Sequence, residues 1–276
     1  MTAQQILDTP DLIAVGAAGD DVRRRIHGVK TTFVRVLEVH VDAPLKALPQ
    51  DAQPGEIRLI GSPSSVEAAA GAVRAAVAVS NGVPVTGFSA ADLVQLGALD
   101  RVGRLLKEAG LTAVAHLPLD LVEDPESVAT AVKQAGLQIN VMTVQHLDDT
   151  GRVAICERAN AVQEAAGGFK AFAPLPRSMS IAKPTTGYDD VKMIALARVV
   201  CANIASIQVD WQLYGPKMAQ VALTVGADDI DNVSAVDPGV LGTRRSPLEE
   251  IKRNITAAGL APIERDGSFR EKVGGW

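Results

Sequence analysis

Short apolar runs rich in Val, Ile and Leu alternate along this chain with Ala-rich segments whose apolar residues recur at helical spacing. The strand-like runs are Val34–Val41, Glu56–Gly61, Val83–Phe88, Thr112–Leu117, Gln138–Val144, Phe169–Leu175, Ile207–Leu213 and Asp229–Val233. Helical periodicity marks Ser65–Ser80, Ser89–Glu108, Pro125–Gln134, Arg152–Ala166, Asp189–Asn203 and Pro216–Val225, with an earlier amphipathic helix over Pro10–His27. Glycine closes several of them, as in "EAG" at 108–110 and "QAG" at 134–136, where a left-handed cap needs it. Strands apolar on both faces, alternating with helices, form a parallel sheet. Eight of them make a (β/α)8 TIM-like barrel the economical closure of an α/β chain. An open doubly wound sheet is the alternative, but no Gly-rich phosphate loop follows the first strand.

One joint breaks the rhythm. The text between the first two strands is short and holds Pro44, Pro49 and Pro54. A parallel crossover needs about a dozen residues or more, usually with a helix. At most one helical turn fits around Leu45–Leu48, so the barrel is expected to be incomplete or pinched between strands one and two. The whole chain, 1–276, reads as a single barrel domain, with 1–30 as a helical lead-in and 246–276 as a C-terminal helix and tail.

Composition narrows the function classes. At 276 residues and 47% hydrophobic, the chain can build one large core. A net charge of −5 leaves no electrostatic footprint for nucleic acid or an anionic membrane, and 3% aromatic content leaves little for base stacking. The opening "MTAQQILDTPDLIAVG" lacks a basic stretch followed by an apolar one, so a cytoplasmic location is expected. Cys156 and Cys201 both sit in helix-like text and read as small buried hydrophobes.

A family becomes visible from Val153 onward. "AVQEAAGGFKAFAPLP" and "TTGYDDVKMIALARVVCANIASIQVDWQLYGPKMAQVALTVGADDIDN" resemble the C-terminal half of the radical S-adenosylmethionine enzymes of menaquinone (futalosine pathway) and deazaflavin biosynthesis. Those are aminofutalosine synthase, dehypoxanthine futalosine cyclase and FO synthase. Upstream, "VRRRIHGVKTTFVR", "EIRLIG", "FSAADL", "LKEAGLTAV" and "MTVQH" are similar to the family's lead-in helix and successive strand ends. The resemblance implies a cysteine triad after strand one that holds a 4Fe–4S cluster, whose ligands must be thiolates. Here that place reads "HVDAPLKALP", without a cysteine. The family's Gly-rich strand-four motif corresponds to "AHLPLD", with His116, Leu117 and Pro118 in place of glycines and Asp120 at best in place of its acid. Its strand-two Gly-Gly is Gly61–Ser62. The resemblance is therefore to a cluster-less, degenerate homologue, with no cluster, no S-adenosylmethionine and no other cofactor or metal expected.

Barrel chemistry sits at the strand C-termini. Reading those ends gives the candidates Asp92, His146, Arg177, Asp210, Trp211 and Gln212 for a substrate pocket, and His40, His116 and Asp120 behind them; Asp42, Ser62, Gln145 and Asp228–Asp231 complete the reading. Each has a plainer role. Asp92 suits a first-turn helix acid, His146 a helix-start network, and Arg177 a solvated loop cation, although strand-end arginines also suit carboxylates and phosphates. Trp211 reads as a packing residue, and Asp228–Asp231 as caps. His40 with Asp42 is a weak match to the His-x-His of metal-dependent hydrolases. The favoured function is a ligand-binding pseudoenzyme or accessory protein linked to menaquinone-type biosynthesis, with a small-molecule ligand and a protein partner from the same pathway. The alternatives are a hydrolase or lyase on a nucleoside-like or enolpyruvyl substrate, and an interaction subunit of a genuine radical enzyme.

Overall fold

The computed structural model describes residues 1–147, 151–178, 186–237 and 246–272. The strands are β1 Lys30–His40, β2 Glu56–Ile60, β3 Val85–Ser89, β4 Ala113–Pro118, β5 Ile139–Val144, β6 Ala171–Pro176, β7 Ser206–Asp210, β8 Asp229–Ser234 and β9 Ala261–Glu264. Around them lie α1 Ala3–Asp8, α2 Leu12–His27, α3 Val66–Val79, α4 Ala90–Gln95, α5 Leu99–Glu108, α6 Pro125–Gln134, α7 Arg152–Ala165, α8 Gly187–Val200, α9 Trp211–Thr224 and α10 Pro247–Ala257. Neighbouring strands from β1 to β8 pair in parallel, and β8 returns to β1. The result is a closed (β/α)8 barrel.

The expected opening between the first two strands is not there. They pair continuously from Val36↔Glu56 to His40↔Ile60. The crossover does lack a helix, as its prolines require: residues 41–55 are turns and coil. Closure is possible because β1 is unusually long. Its upper half pairs with β2, while its lower half, Lys30 to Phe33, pairs with β9. The ninth strand, invisible as a pattern because it is only four residues long, thus completes the sheet below β2.

Two other boundaries differ from the sequence reading. The segment Ile207–Leu213 is strand only to Asp210, because the Asp210 carboxylate accepts the amides of Gln212 and Leu213 and starts α9 there. The single helix expected over Ser89–Glu108 is two, α4 and α5, separated at Gly97, whose φ of 130° no L side chain adopts easily. Between sheet and helices runs one continuous apolar layer that includes Phe33, Leu59, Leu106, Met142, Phe172, Ile194 and Leu223. Among the described residues, no helix is long and apolar enough to cross a membrane.

Candidate functional site: a barrel lumen of two chemistries

The lumen contains charge. Arg58 on β2 makes a bidentate pair with Asp231 on β8, at 2.8 Å for each oxygen, and a third bond to Glu56 at 2.8 Å. Strands β2 and β8 are not neighbours; β1 lies between them, so this contact crosses the barrel interior. Beneath it, Arg265, just past β9, is bidentate to Asp229 at 2.7 Å and lies 3.8 Å over the ring centre of Phe269. Asp229 also accepts from Gln208 at 2.7 Å, and Thr86 donates to Glu56. The tail from β9 to Phe269 therefore plugs the lower lumen. Asp231 is held well below the usual carboxylate range; burial opposes this, but Arg58 beside it outweighs burial, with Arg265 and Arg177 adding to the effect.

The other half of the lumen is sparsely bonded. Val141, Ala171 and Ala173 form a small apolar cluster on which Phe269 packs, so this face of β5 and β6 points inward. Thr143, two residues beyond Val141, shares that face by strand alternation. Its hydroxyl is buried and has no hydrogen-bond partner. His116, paired with Val141 across β4 and β5, is half-buried. Desolvation, then Arg177 and Arg58, push its pKa down to about 3, so it is neutral at physiological pH. Arg177, just after β6, meets Asp210 at 3.5 Å with its side chain 22% exposed. Asp210, at the end of β7, has its pKa raised by burial and by Asp231.

The sequence candidates are distributed accordingly. Arg177, Asp210 and Gln212 come together: Gln212 donates to Asn232 at 3.4 Å, and Asn232 donates to Asp210 at 3.4 Å. Asn232 takes a left-handed φ of 59° next to the register shift between β8 and β1, an irregularity typical of barrel rims near sites. Asp92 accepts a hydrogen bond from Ser62 at 2.9 Å, tying the β2 exit to α4. Asp120 accepts the amides of Gln145 at 2.8 Å and His146 at 2.6 Å, stapling the β4 exit to the β5 exit. These bonds hold the Asp92 and Asp120 carboxylates in the rim. The His146 amide is engaged by that staple. Trp211 packs into the apolar layer, as its plainer reading had it. His40 and Asp42 are exposed and 3.6 Å apart, with the His40 ring lying against Gly61.

The reading of Asp228–Asp231 as strand-end groups is corrected. Asp228 precedes β8, at the barrel bottom, where it pairs with buried Arg198 and accepts the amide of Ile207 at 2.9 Å. Asp229 and Asp231 are lumen residues. Sequence reading missed their partners Arg58 and Arg265, and it missed Thr143. The usable signal was Glu56 and Arg58 alternating inside apolar "EIRLI", and Asp229 and Asp231 doing the same in "DIDNV".

Metal and cluster ligation were tested on donor chemistry. Among the described residues, no group of three His, Cys, Asp or Glu side chains is placed to hold a metal ion. Cys156 and Cys201 are buried against each other in the outer layer, the Cys201 thiol donating to the Cys156 carbonyl at 3.2 Å. The hydrogen bond between the thiols, then burial, push the Cys156 thiol well up, the reverse of what a thiolate ligand needs. The β1 exit offers His40 and Asp42 and no sulfur. These residues do not fit an iron–sulfur cluster.

Residues 166–273 match the family described as CofH/MqnC C-terminal region. Several curated enzymes are similar to the chain in sequence. It is 28% identical over 227 residues to the aminodeoxyfutalosine synthase of Thermus thermophilus, covering 69% of this chain and 61% of that one. It is 31% identical over 201 residues to the 5-amino-6-(D-ribitylamino)uracil–L-tyrosine 4-hydroxyphenyl transferase of Methanothermobacter thermautotrophicus, covering 61% and 54%. The cyclic dehypoxanthine futalosine synthase of Streptomyces coelicolor is 29% identical over 195 residues, covering 62% and 49%. The chain thus spans about half to three fifths of the length of these relatives. In fold it is similar to HydG, a maturase of the FeFe-hydrogenase, with a TM-score of 0.65 and 15% identity over 95% of this chain and 71% of that one. Methylornithine synthase, PylB, gives 0.63 and 11% over 94% and 92%. The sequence comparisons support the family resemblance read from the sequence, and the structural ones support the barrel fold alone.

Proposed function

We propose that this chain is a non-radical homologue of the futalosine-pathway enzymes, a ligand-binding pseudoenzyme or accessory protein that works without an iron–sulfur cluster or S-adenosylmethionine. One observation carries this reading: the exit from β1, where the resemblance places a thiolate triad, has no cysteine, and the chain's two thiols are packed together in the outer layer. Cluster chemistry requires thiolates, and no other side chain at the β1 exit replaces three of them. The barrel mouth supports a retained ligand site. Arg177, His116, Asp210 and Asn232 stay polar there, where an abandoned site would drift toward apolar filling.

The test is an anaerobic incubation with S-adenosylmethionine and dithionite after iron and sulfide reconstitution, with a cysteine-bearing relative as the positive control. The expected result is 5′-deoxyadenosine at the level of the blank. Turnover above the blank that scales with protein would overturn the proposal.

A further inference from the structure

The ring of helices around this barrel has one gap. Every crossover from β2 to β8 carries at least one helix, and the β1–β2 crossover carries none. Leu45 and Leu48 of that crossover pack against the apolar layer. Below them a cleft stays open along α10, whose other flank packs on α9. Its main cavity is about 510 Å³, with Phe33 of β1 and Ile263 of β9 in its lining and Leu248 and Lys252 of α10 along one side. A smaller cavity of about 160 Å³ shares Arg35, Gln53 and Leu248 with it and reaches Ser234 and Ser246. Together they follow α10 from Ser246 to Lys252, a length of about 9 Å, or nearly two helical turns. We infer that this cleft is a docking surface for an amphipathic helix of a partner protein, which fills the place left open in the helix ring.

The charges of the cleft specify the occupant. Arg35 and Lys272 both pair with Glu264, at 3.0 and 2.9 Å, and Glu271 pairs with Lys30 at 3.2 Å. Two groups are left over. Among the described residues, Lys252 at the lower end of the cleft makes no ion pair, nor does Asp51, which shares the upper cavity with Asp237. The cleft is thus basic at one end and acidic at the other, with Phe33, Leu248 and Ile263 between. Its complement is a helix with an apolar stripe at i, i+3, i+4 and i+7, an acid near Lys252 and a base near Asp51. An added strand fits less well. The tail turns back on β9, and the Lys272 amide donates to the Glu264 carbonyl at 2.8 Å, which blocks strand addition at that end. A contact this short makes a weak, reversible complex. The inference does not depend on whether the chain holds a cluster.

Fluorescence anisotropy of labelled synthetic peptides on the full chain tests this. One peptide, about four helical turns long, carries leucines along one face, lysine at one end and glutamate at the other. A second has the same composition with its leucines dispersed around the helix. The first should bind at least tenfold more tightly than the second. Leu248→Glu and Lys252→Glu should each weaken it at least fivefold, whereas Arg104→Gln, at an exposed arginine on α5, should leave it unchanged. Lys252 is partly exposed, so its variant serves even if Leu248→Glu fails to fold. Equal binding of the two peptides, binding indifferent to both cleft substitutions, or no binding overturns the assignment. Other occupants would overturn it too. Octanoate that displaces the peptide with a lower dissociation constant than the peptide's own would make the cleft a small-molecule pocket. Peptide binding that appears only after residues 273–276 are deleted would give the cleft to the chain's own tail, and a dimer of the free chain that Leu248→Glu dissociates would give it to a second copy. Anisotropy is blind to iron, so this inference and the non-radical proposal fail separately.

Discussion

The two halves of this lumen use the same residue types to opposite ends. On the β8–β1–β2 side, closed from below by β9, each carboxylate and guanidinium is engaged by partners at 2.5–2.9 Å. On the β4–β7 side, an arginine is held by one contact at 3.5 Å, a buried hydroxyl has no partner, and a histidine is kept neutral. Buried charge is tolerated where pairing is complete, and incomplete pairing at a strand C-terminus marks a place where something else completes it. The saturated half acts as a scaffold; the unsaturated half is the candidate site.

Five substitutions would break or sharpen that contrast. Arg265→Met or Arg58→Met should have the largest effect, because each strands a buried carboxylate. Breaking a buried pair from one side costs about 3–5 kcal/mol, which urea denaturation would register as a large drop in midpoint; a loss under about 1 kcal/mol would show that the network is ornamental to stability. Thr143→Val should work the other way. Removing an unpartnered buried hydroxyl should stabilise the ligand-free protein by about 1 kcal/mol, and a destabilised variant would mean that the hydroxyl is bonded in solution.

His116 gives a pH signature. Its folded pKa of about 3 lies below the ordinary 6.5, so below pH 6.5 the unfolded chain takes up a proton that the folded one refuses. Stability from this group is therefore present at neutral pH and lost as pH falls from 6.5 toward 3. Between pH 7 and 5.5 the wild type should lose up to about 1 kcal/mol more than His116→Asn, allowing for its partial exposure. Parallel curves for the two proteins would contradict the burial of the neutral ring. Arg177→Gln should cost least, within about 0.5 kcal/mol, as a single contact at 3.5 Å from a partly exposed guanidinium contributes little. A cost equal to that of Arg58→Met would erase the difference between the two halves.

The barrel could be read in advance because its strands are apolar on both faces and its helices carry glycine stops, both local signals. The β9 strand could not, since four residues carry no period, and its role depends on the length of β1. The expectation of an open seam failed for the same reason: a missing crossover helix says nothing about whether two strands hydrogen-bond. At the site, Arg177 and Asp210 were legible as polar residues at the ends of apolar strands. Arg58 and Arg265 were not, because recognising a lumen arginine requires knowing that Asp231 faces it across β1. Thr143 reads as an ordinary strand residue, and only the absence of a partner in three dimensions singles it out.

The central proposal is that this chain combines a closed barrel and a polar mouth with a β1 exit that cannot hold a cluster. The most direct measurement is iron and acid-labile sulfide per chain after anaerobic reconstitution and desalting, with the visible spectrum recorded. The account predicts iron and sulfide at background and no broad sulfide-to-iron charge-transfer band, with the same outcome for a Cys156→Ala, Cys201→Ala variant. Four irons and four sulfides per chain, lost when those two cysteines are replaced, would contradict it.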